Sequence, residues 1–351
     1  MLEEITVVKV YDLFNQILSC YASNSCFPLH YEGPIDRHPM HNIASIDLGS
    51  YTARLLIARV GDDGGVFEPL MRNRSYIYLA EDFDPVLKRI SKEASARAVT
   101  VLKDFSRTIG DWEVKRVVAV ATGVVRKAAN RNGFLKEIFE ESGLRVSVIS
   151  GEKEARLTSK GALGALGINK PPFFVFDLGG GTTEFLCHGK EGRVVDSVSL
   201  GAMMLTNAFL LSDPPAENEM KALVAYIDQI LDQKCPSTPA DGPVIGTGGT
   251  VATLCAMHNG VSQHAVVPEK INGFVLSLFE VEACLEKMCR LSTAQRIERL
   301  GLDSGRARVL VAGAAVVVRL LRRLKVNELL VSMSDLLEGA LMDFLEGEQH
   351  G

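Results

Sequence analysis

The sequence predicts an α/β protein built on a duplicated unit, and three observations carry that prediction. Phe173 to Leu186, FFVFDLGGGTTEFL, runs as a β-rich apolar strand ending at Asp177, a triple-glycine turn and a returning strand. ASIDLGSYTARLLIA, from Ala44 to Ala58, repeats the strand, the Asp-Leu-Gly, the hydroxyl-bearing turn and the return. VIGTGGT, from Val244 to Thr250, is a third apolar strand that ends in glycines and opens a helix.

The elements follow in order. Residues 1–40 do not resemble the rest: a short amphipathic pattern over Met1–Asn24 suggests a helix, and Pro28, Pro34 and Pro39 break any continuation. This segment is expected to be an appendage or an over-long start, with the working chain beginning near Met40. From Ile43 the order is strand, turn, strand, a third strand at Val66–Met71, and a helix from Ser91. Ala94, Ala98, Val101, Leu102, Phe105 and Ile109 place one apolar stripe on that helix. Lys115–Ala121 reads as a strand, Val124–Glu141 as a helix, Leu144–Ile149 as a strand and Gly151–Leu166 as a helix. After the Phe173 hairpin come strands at Arg193–Val198 and Val244–Thr247. Helices are expected at Ala202–Leu211, Ala216–Gln233, Val251–Met257, Val281–Arg290 and Gly305–Leu324. Glu328–Val331 is a late strand, and Ser334-Asp335 caps a closing helix through Leu345.

Composition bounds the function. The 351 residues are 47% hydrophobic and 23% charged, which suits a large buried core and two domains. No apolar run approaches the roughly 18 residues that span a bilayer, and the N-terminus lacks a secretory pattern, so a cytoplasmic protein without a membrane partner is expected. The seven cysteines form no CxxC pair and read as reduced thiols. A net charge of −5 excludes broad attraction to DNA. An anionic ligand must therefore meet basic residues gathered in a cleft. Candidates are Arg126, Lys127, Arg131, Lys153 and Arg156. The run Arg319, Arg322, Arg323 and Lys325 reads more simply as a solvated helix face.

The turns point to phosphate. Glycines at 179–181 let the backbone bring N–H groups close to an anion, and Thr182 and Thr183 add hydroxyls. Asp177 at the rim and Glu184 beyond the turn suit a Mg²⁺ ion bridging to phosphate oxygens. One glycine-rich hairpin is commonly no more than a tight turn; three phosphate-type turns, two with Asp-Leu-Gly, are another matter. They resemble the duplicated phosphotransferase superfamily of actin, sugar kinases and acetate kinase, in which two ribonuclease H-like domains face each other across a cleft. The domains are expected at 41–151, with the closing helix 334–351 returning to it, and at 152–333.

Further stretches sharpen the likeness. Ala121-Thr122-Gly123-Val124-Val125-Arg126-Lys127-Ala128, Ile149-Ser150-Gly151-Glu152-Lys153-Glu154-Ala155-Arg156-Leu157, Ser199-Leu200-Gly201-Ala202 and Ser334-Asp335-Leu336-Leu337-Glu338-Gly339 follow in order. Over residues 42–345 this resembles the exopolyphosphatase and guanosine pentaphosphate phosphohydrolase family, in its short two-domain form. The resemblance implies hydrolysis of a terminal phosphoanhydride in inorganic polyphosphate, with Glu154 as general base and Arg126 beside the phosphate. Alternatives are the 5′-phosphate of guanosine pentaphosphate, or a noncatalytic sensor of either ligand. Gly49, Ser50, Gly179, Gly180, Gly181, Thr182, Thr183, Gly246, Thr247, Gly248, Gly249 and Thr250 would bind phosphate. Asp47, Asp177 and Glu184 would hold Mg²⁺, with K⁺ as a stimulating ion, in a homodimer. The chain departs from the family pattern in four places, the first being Gly123-Val124-Val125 before Arg126, where the family tends to have polar residues. Tyr51 replaces the Asn of Asp-Leu-Gly-Ser-Asn, Arg308 stands where an Asp is common, and Leu336 replaces the glycine after Asp335.

Overall fold

A computed structural model describes residues 40–61, 67–84, 86–189, 192–235, 242–262 and 265–349. The expectations for residues 1–39, Cys20 and Cys26 among them, lie outside the described residues.

The first sheet is built from β1 (Met40–Leu48), β2 (Thr52–Gly61) and β3 (Phe67–Tyr76). A two-residue ribbon, β4 (Phe83–Asp84) and β5 (Arg89–Ile90), follows, and then helix α1 (Lys92–Asp111), whose N-cap Ser91 accepts from the Ala94 N–H. β6 (Arg116–Ala121), α2 (Gly123–Lys127), α3 (Arg131–Ser142), β7 (Val146–Val148) and α4 (Gly151–Ala165) complete this half. The strand order is β3-β2-β1-β6-β7: the first three are antiparallel, and β6 and β7 run parallel to β1.

The second sheet repeats the plan. β8 (Phe173–Leu178), β9 (Thr183–Gly189) and β10 (Gly192–Val198) are antiparallel. Helices α5 (Ala202–Phe209) and α6 (Glu217–Lys234) lead to β11 (Val244–Thr247) and α7 (Gly249–His258). The chain then forms α8 (Pro268–Ile271), β12 (Val275–Ser277), α9 (Leu278–Cys289), α10 (Thr293–Leu300), α11 (Ser304–Leu324), β13 (Glu328–Val331) and α12 (Leu336–Gln349). The order is β10-β9-β8-β11-β13-β12, with β11 parallel to β8 and to β13. Three antiparallel strands followed by parallel ones, twice, is the ribonuclease H-like plan duplicated, with β12 added antiparallel to β13 at the edge of the second sheet.

Each central strand is apolar along its length because helices cover both faces. Ala44, Ile46, Leu55 and Ile57 pack with Leu102 and Phe105 of α1, while Ile43, Leu56 and Val60 pack with Leu337 and Leu341 of α12. In the second half, Phe174, Phe176 and Phe185 join α11, whose buried residues go all round. Val175, Leu186 and Ile245 meet Ala162 of α4.

Two helix expectations are corrected. The helix read as Val124–Glu141 is two helices, because Ala128 is extended (ψ 127°) and Asn130 exchanges hydrogen bonds with the Ile90 backbone, both at 3.0 Å. The short α10 carries a capping box, Ser292 with Gln295, and was not anticipated.

α4 and α12 cross closely, and glycines permit it. A Cβ on Gly339 would overlap the Leu157 carbonyl oxygen and lie 3.1 Å from the Gly161 nitrogen. In a free helix Gly→Ala gains about 1 kcal/mol; here overpacking should outweigh it, at about 1–3 kcal/mol. Gly339→Ala is therefore expected to lower stability in urea denaturation, and an unchanged or raised midpoint would show that the crossing is loose.

Candidate active site

The two hairpins are superimposable in their bonding. Gly49 N–H donates to Thr52 O at 3.0 Å, and Gly179 N–H donates to Thr182 O at 3.0 Å. Asp47 lies across from Arg54 in one, and Asp177 from Glu184 in the other. Ser197 on β10, the next strand, donates to Glu184 Oε1 at 2.6 Å. All four of those paired residues line one cleft, which also takes in Gly49, Ser50, Tyr51, Glu154, Gly179–Thr182, Gly248–Thr250 and Arg306.

Glu154 enters on the first turn of α4, behind the N-cap Ser150. It is 7% exposed, and Arg126 Nη1 donates to its Oε2 at 2.6 Å while reaching Ile149 O at 3.2 Å. Arg126 thus positions Glu154 and does not itself line the cleft. Burial, then the Glu184 charge, pushes the Glu154 carboxyl up to about 8, against Arg126. Burial and Asp335 push Asp177 up to about 8. Glu184 rises to about 7, chiefly through burial and against the Ser197 hydrogen bond. Asp47 is also raised by burial, with Arg54 opposing.

The turns are placed as follows. Ser50 Oγ accepts the Val124 N–H at 3.0 Å, which fastens the first turn to α2. The N-terminal amides of α5 are spent on the second turn: Ala202 N–H meets Gly179 O, and Met203 and Met204 N–H meet Gly180 O, all at 3.0 Å. Gly248 adopts φ 93°, where a Cβ would sit 2.7 Å from Asp177 Oδ1, so the third turn abuts the rim carboxylate. Three residues expected at phosphate stand elsewhere. Thr183 is turned inward, donating to Leu200 O at 2.9 Å. Gly246 is a packing glycine against Phe176 and Leu329, and Thr247 is fully buried in the strand. Of the surface cations, Lys153 and Arg156 pair with Asp343 and Glu152, and Arg131 donates to Arg126 O. Arg319, Arg322 and Arg323 pair with Asp228, Glu282 and Asp232.

Three residues outside the expected site set stand at the site. Arg54 donates to Asp47 Oδ2 at 3.0 and 2.8 Å and also holds Asp335. Its signal was the spacing, since Arg54 follows Asp47 by the interval at which Glu184 follows Asp177. Asp335, buried at 3%, joins the carboxylates from the far end of the chain. Arg306 lies in the cleft against Gly249, and its guanidinium finds no acceptor among the described residues. Burial, then Arg74, brings it down to about 10.

The donor set fits a hard cation in part. Asp47 Oδ1 is buried with no hydrogen-bond partner, and every carboxylate offers oxygen. Yet among the described residues no three His, Cys, Asp or Glu side chains converge to hold a metal; Asp47 also accepts from Arg54, and Glu184 from Ser197. Asp47, Asp177 and Glu184 are not a preformed cage; phosphate and water oxygens would have to complete the shell.

The model of the Ppx/GppA phosphatase family matches residues 56–348. The chain belongs to this family. It is 31% identical over 313 residues to Exopolyphosphatase 2 of Mycobacterium tuberculosis, covering 85% of this chain and 96% of that one. The crystal structure of the Ppx/GppA family member of Aquifex aeolicus is 30% identical at a TM-score of 0.76, with 89% of this chain and 100% of that one covered. An exopolyphosphatase structure from Cytophaga hutchinsonii gives 0.77 at 26% identity, covering 88% and 98%. As a Ppx/GppA protein the chain is a hydrolase of phosphoanhydride bonds. Among the described residues no helix is long and apolar enough to cross a membrane.

The raised carboxyls make stability depend on pH with a definite sign. A group whose folded pKa lies above its unfolded value stabilises the fold below the unfolded value and loses that contribution as pH rises through the folded one. For Asp177 the window runs from 3.8 to about 8. Asp177→Asn should therefore gain on the parent between pH 5 and 8 in metal-free thermal unfolding, by about 1 kcal/mol or more. A difference that stays flat with pH would rule out a buried, reluctant carboxylate.

Proposed function

We propose that this Ppx/GppA hydrolase is an exopolyphosphatase, releasing orthophosphate from the end of an inorganic polyphosphate chain with Glu154 as general base. The observation that carries the reading is Glu154 itself: a buried carboxylate, pinned by Arg126, pushed up to about 8 and facing the Asp177–Glu184 hairpin. A base is most effective with a pKa near the working pH.

Water attacks the terminal phosphorus, its proton passes to Glu154, and the bridging oxygen leaves with its electron pair on the shortened chain. Phosphoryl transfer leaves the protein to position groups and balance charge. Amides of the glycine turns and the Ser50 and Thr182 hydroxyls orient the terminal phosphate. Arg306, an unpaired guanidinium, neutralises part of its charge. Five carboxylates at the site (Asp47, Glu154, Asp177, Glu184, Asp335) face four guanidiniums (Arg54, Arg74 and Arg306 in the cleft, Arg126 behind Glu154), so a polyanion would be helped by protons or a cation on the acids. Asp47, Asp177 and Glu184 would hold Mg²⁺ together with phosphate oxygens, and the ion would supply charge neutralisation. Two domains, 41–151 with 334–351 and 152–333, in a cytoplasmic homodimer, belong to the same proposal.

Glu154→Gln keeps the shape of the side chain but cannot take a proton. Phosphate release from polyphosphate with Mg²⁺ should fall about 10²–10⁴-fold, while polyphosphate binding persists. An unchanged rate would remove Glu154 from the role of base; a parent protein that binds without releasing phosphate would make it a sensor.

A further inference from the structure

Glu338 sits on the first turn of α12, three residues after Asp335, and is 2% exposed. It does not line the cleft. A carboxylate buried this far is costly unless it is paired and hydrogen-bonded, and Glu338 is both. Its Oε2 accepts the Asp335 N–H at 2.9 Å, while Asp335 Oδ1 accepts the Leu337 N–H at 3.2 Å, so the two acids cap the start of the helix together. Their remaining oxygens, Glu338 Oε1 and Asp335 Oδ2, take Arg72 and Arg54.

The sheet sets those two guanidiniums side by side. In the register of β2 and β3, Arg72 stands opposite Leu56 and Arg74 opposite Arg54. Side chains two apart on a strand share a face, so all three arginines leave the face that Leu56 buries against Leu337 and Leu341 of α12. Arg54 and Arg74 line the cleft, and Arg72 stands one step back from it. Against this row of like charges the cap of α12 offers two acids, Asp335 and Glu338. Without the Glu338 charge, Arg72 would be left to compete with Arg54 for Asp335.

We propose that Glu338 is a positioning residue for the hydrolysis. By holding Arg72 and the Asp335 N–H it leaves the Asp335 carboxylate to Arg54, and Arg54 so held fixes Asp47, whose Oδ1 is buried without a hydrogen-bond partner. Outer groups of this kind orient the groups that meet the ligand. This role deepens the exopolyphosphatase reading and rests on it for the part Asp47 plays at the phosphate and its Mg²⁺.

The test removes the two charges in turn from the full chain. Glu338→Gln keeps an oxygen for the Asp335 N–H but frees Arg72. Its kcat on polyphosphate with Mg²⁺ should fall about tenfold or more while KM moves less than about twofold, and calorimetric Mg²⁺ binding without substrate should weaken by about tenfold. Adding Arg72→Met removes the competing guanidinium, so the double variant should recover both readouts to within about threefold of the parent. A pair that only braces the fold would leave the double variant no better than Glu338→Gln. That result, or parental turnover and Mg²⁺ binding in Glu338→Gln, would overturn the proposal. Urea midpoints are measured for each variant: if Glu338→Gln does not fold, recovery in the double variant still decides, and if neither folds the pair is structural support alone and the proposal falls. Guanosine pentaphosphate is assayed beside polyphosphate. A parent active only on the nucleotide overturns the exopolyphosphatase reading, and the variants are then compared on that substrate; a parent active on neither leaves the decision to Mg²⁺ binding.

Discussion

The Arg54 guanidinium is the interaction on which the site depends. It holds Asp47 from its own hairpin and Asp335 from the start of the closing helix, and Asp177 lies within its electrostatic reach. Burial works against its charge, and the Asp335 and Asp47 carboxylates overcome that, so its pKa stands above the ordinary arginine range. Without it, buried carboxylates from β1, β8 and the residue before α12 would face one another with nothing between them. An unpaired buried charge is among the costliest defects a fold can contain. The same contact fixes where α12 starts, and α12 in turn sets the crossing with α4 that presents Glu154. Charge balance at the floor and placement of the base are therefore one arrangement.

Duplication explains why the arrangement is polar. The two hairpins share strand register, turn bonding and the leading Asp-Leu-Gly, yet the residue across from the Asp is Arg54 in one and Glu184 in the other. One half contributes a self-neutralised Asp–Arg pair, the other a pair of acids across one strand step. A substrate bearing negative charge and an accompanying cation would find both signs within one cleft. A strict repeat, with acid opposite acid in both halves, would have left the floor without an internal cation.

Much of this was legible in the chain, for identifiable reasons. The three turns announced themselves by repetition, a glycine turn after an apolar strand each time and Asp-Leu-Gly in two of them, and Glu154 stood in a distinctive stretch. What escaped depended on long-range contacts. Asn130 ends a helix pattern only because it bonds to Ile90, forty residues earlier in the chain. Thr183 looks like a second phosphate hydroxyl until β9 places it inward, toward Leu200. Arg306 sits on a helix whose sequence is that of a buried core element, and nothing local says that its first turn opens into the cleft.

Tyr51 and Arg308, two departures from the family pattern, prove to be neighbours. The Tyr51 ring lies against Gly180, where a Cβ would be excluded, and it packs into the core of the second half. Its phenol is buried and pushed up to about 12, with Glu81 adding to the shift and Arg308 opposing it. Arg308 reaches Glu81 at 3.0 Å and Asn207 at 2.8 Å. A side chain of the first glycine turn is thus packed onto the second, and an ion pair from α11 to the segment after β3 fastens the same side. An Asn at position 51 would be too small to fill the space over Gly180, and an Asp at 308 would repel Glu81. Tyr51 and Arg308 thus act on the same side of the cleft. The Tyr51 ring against Gly180 sets the separation of the two glycine turns from within the protein.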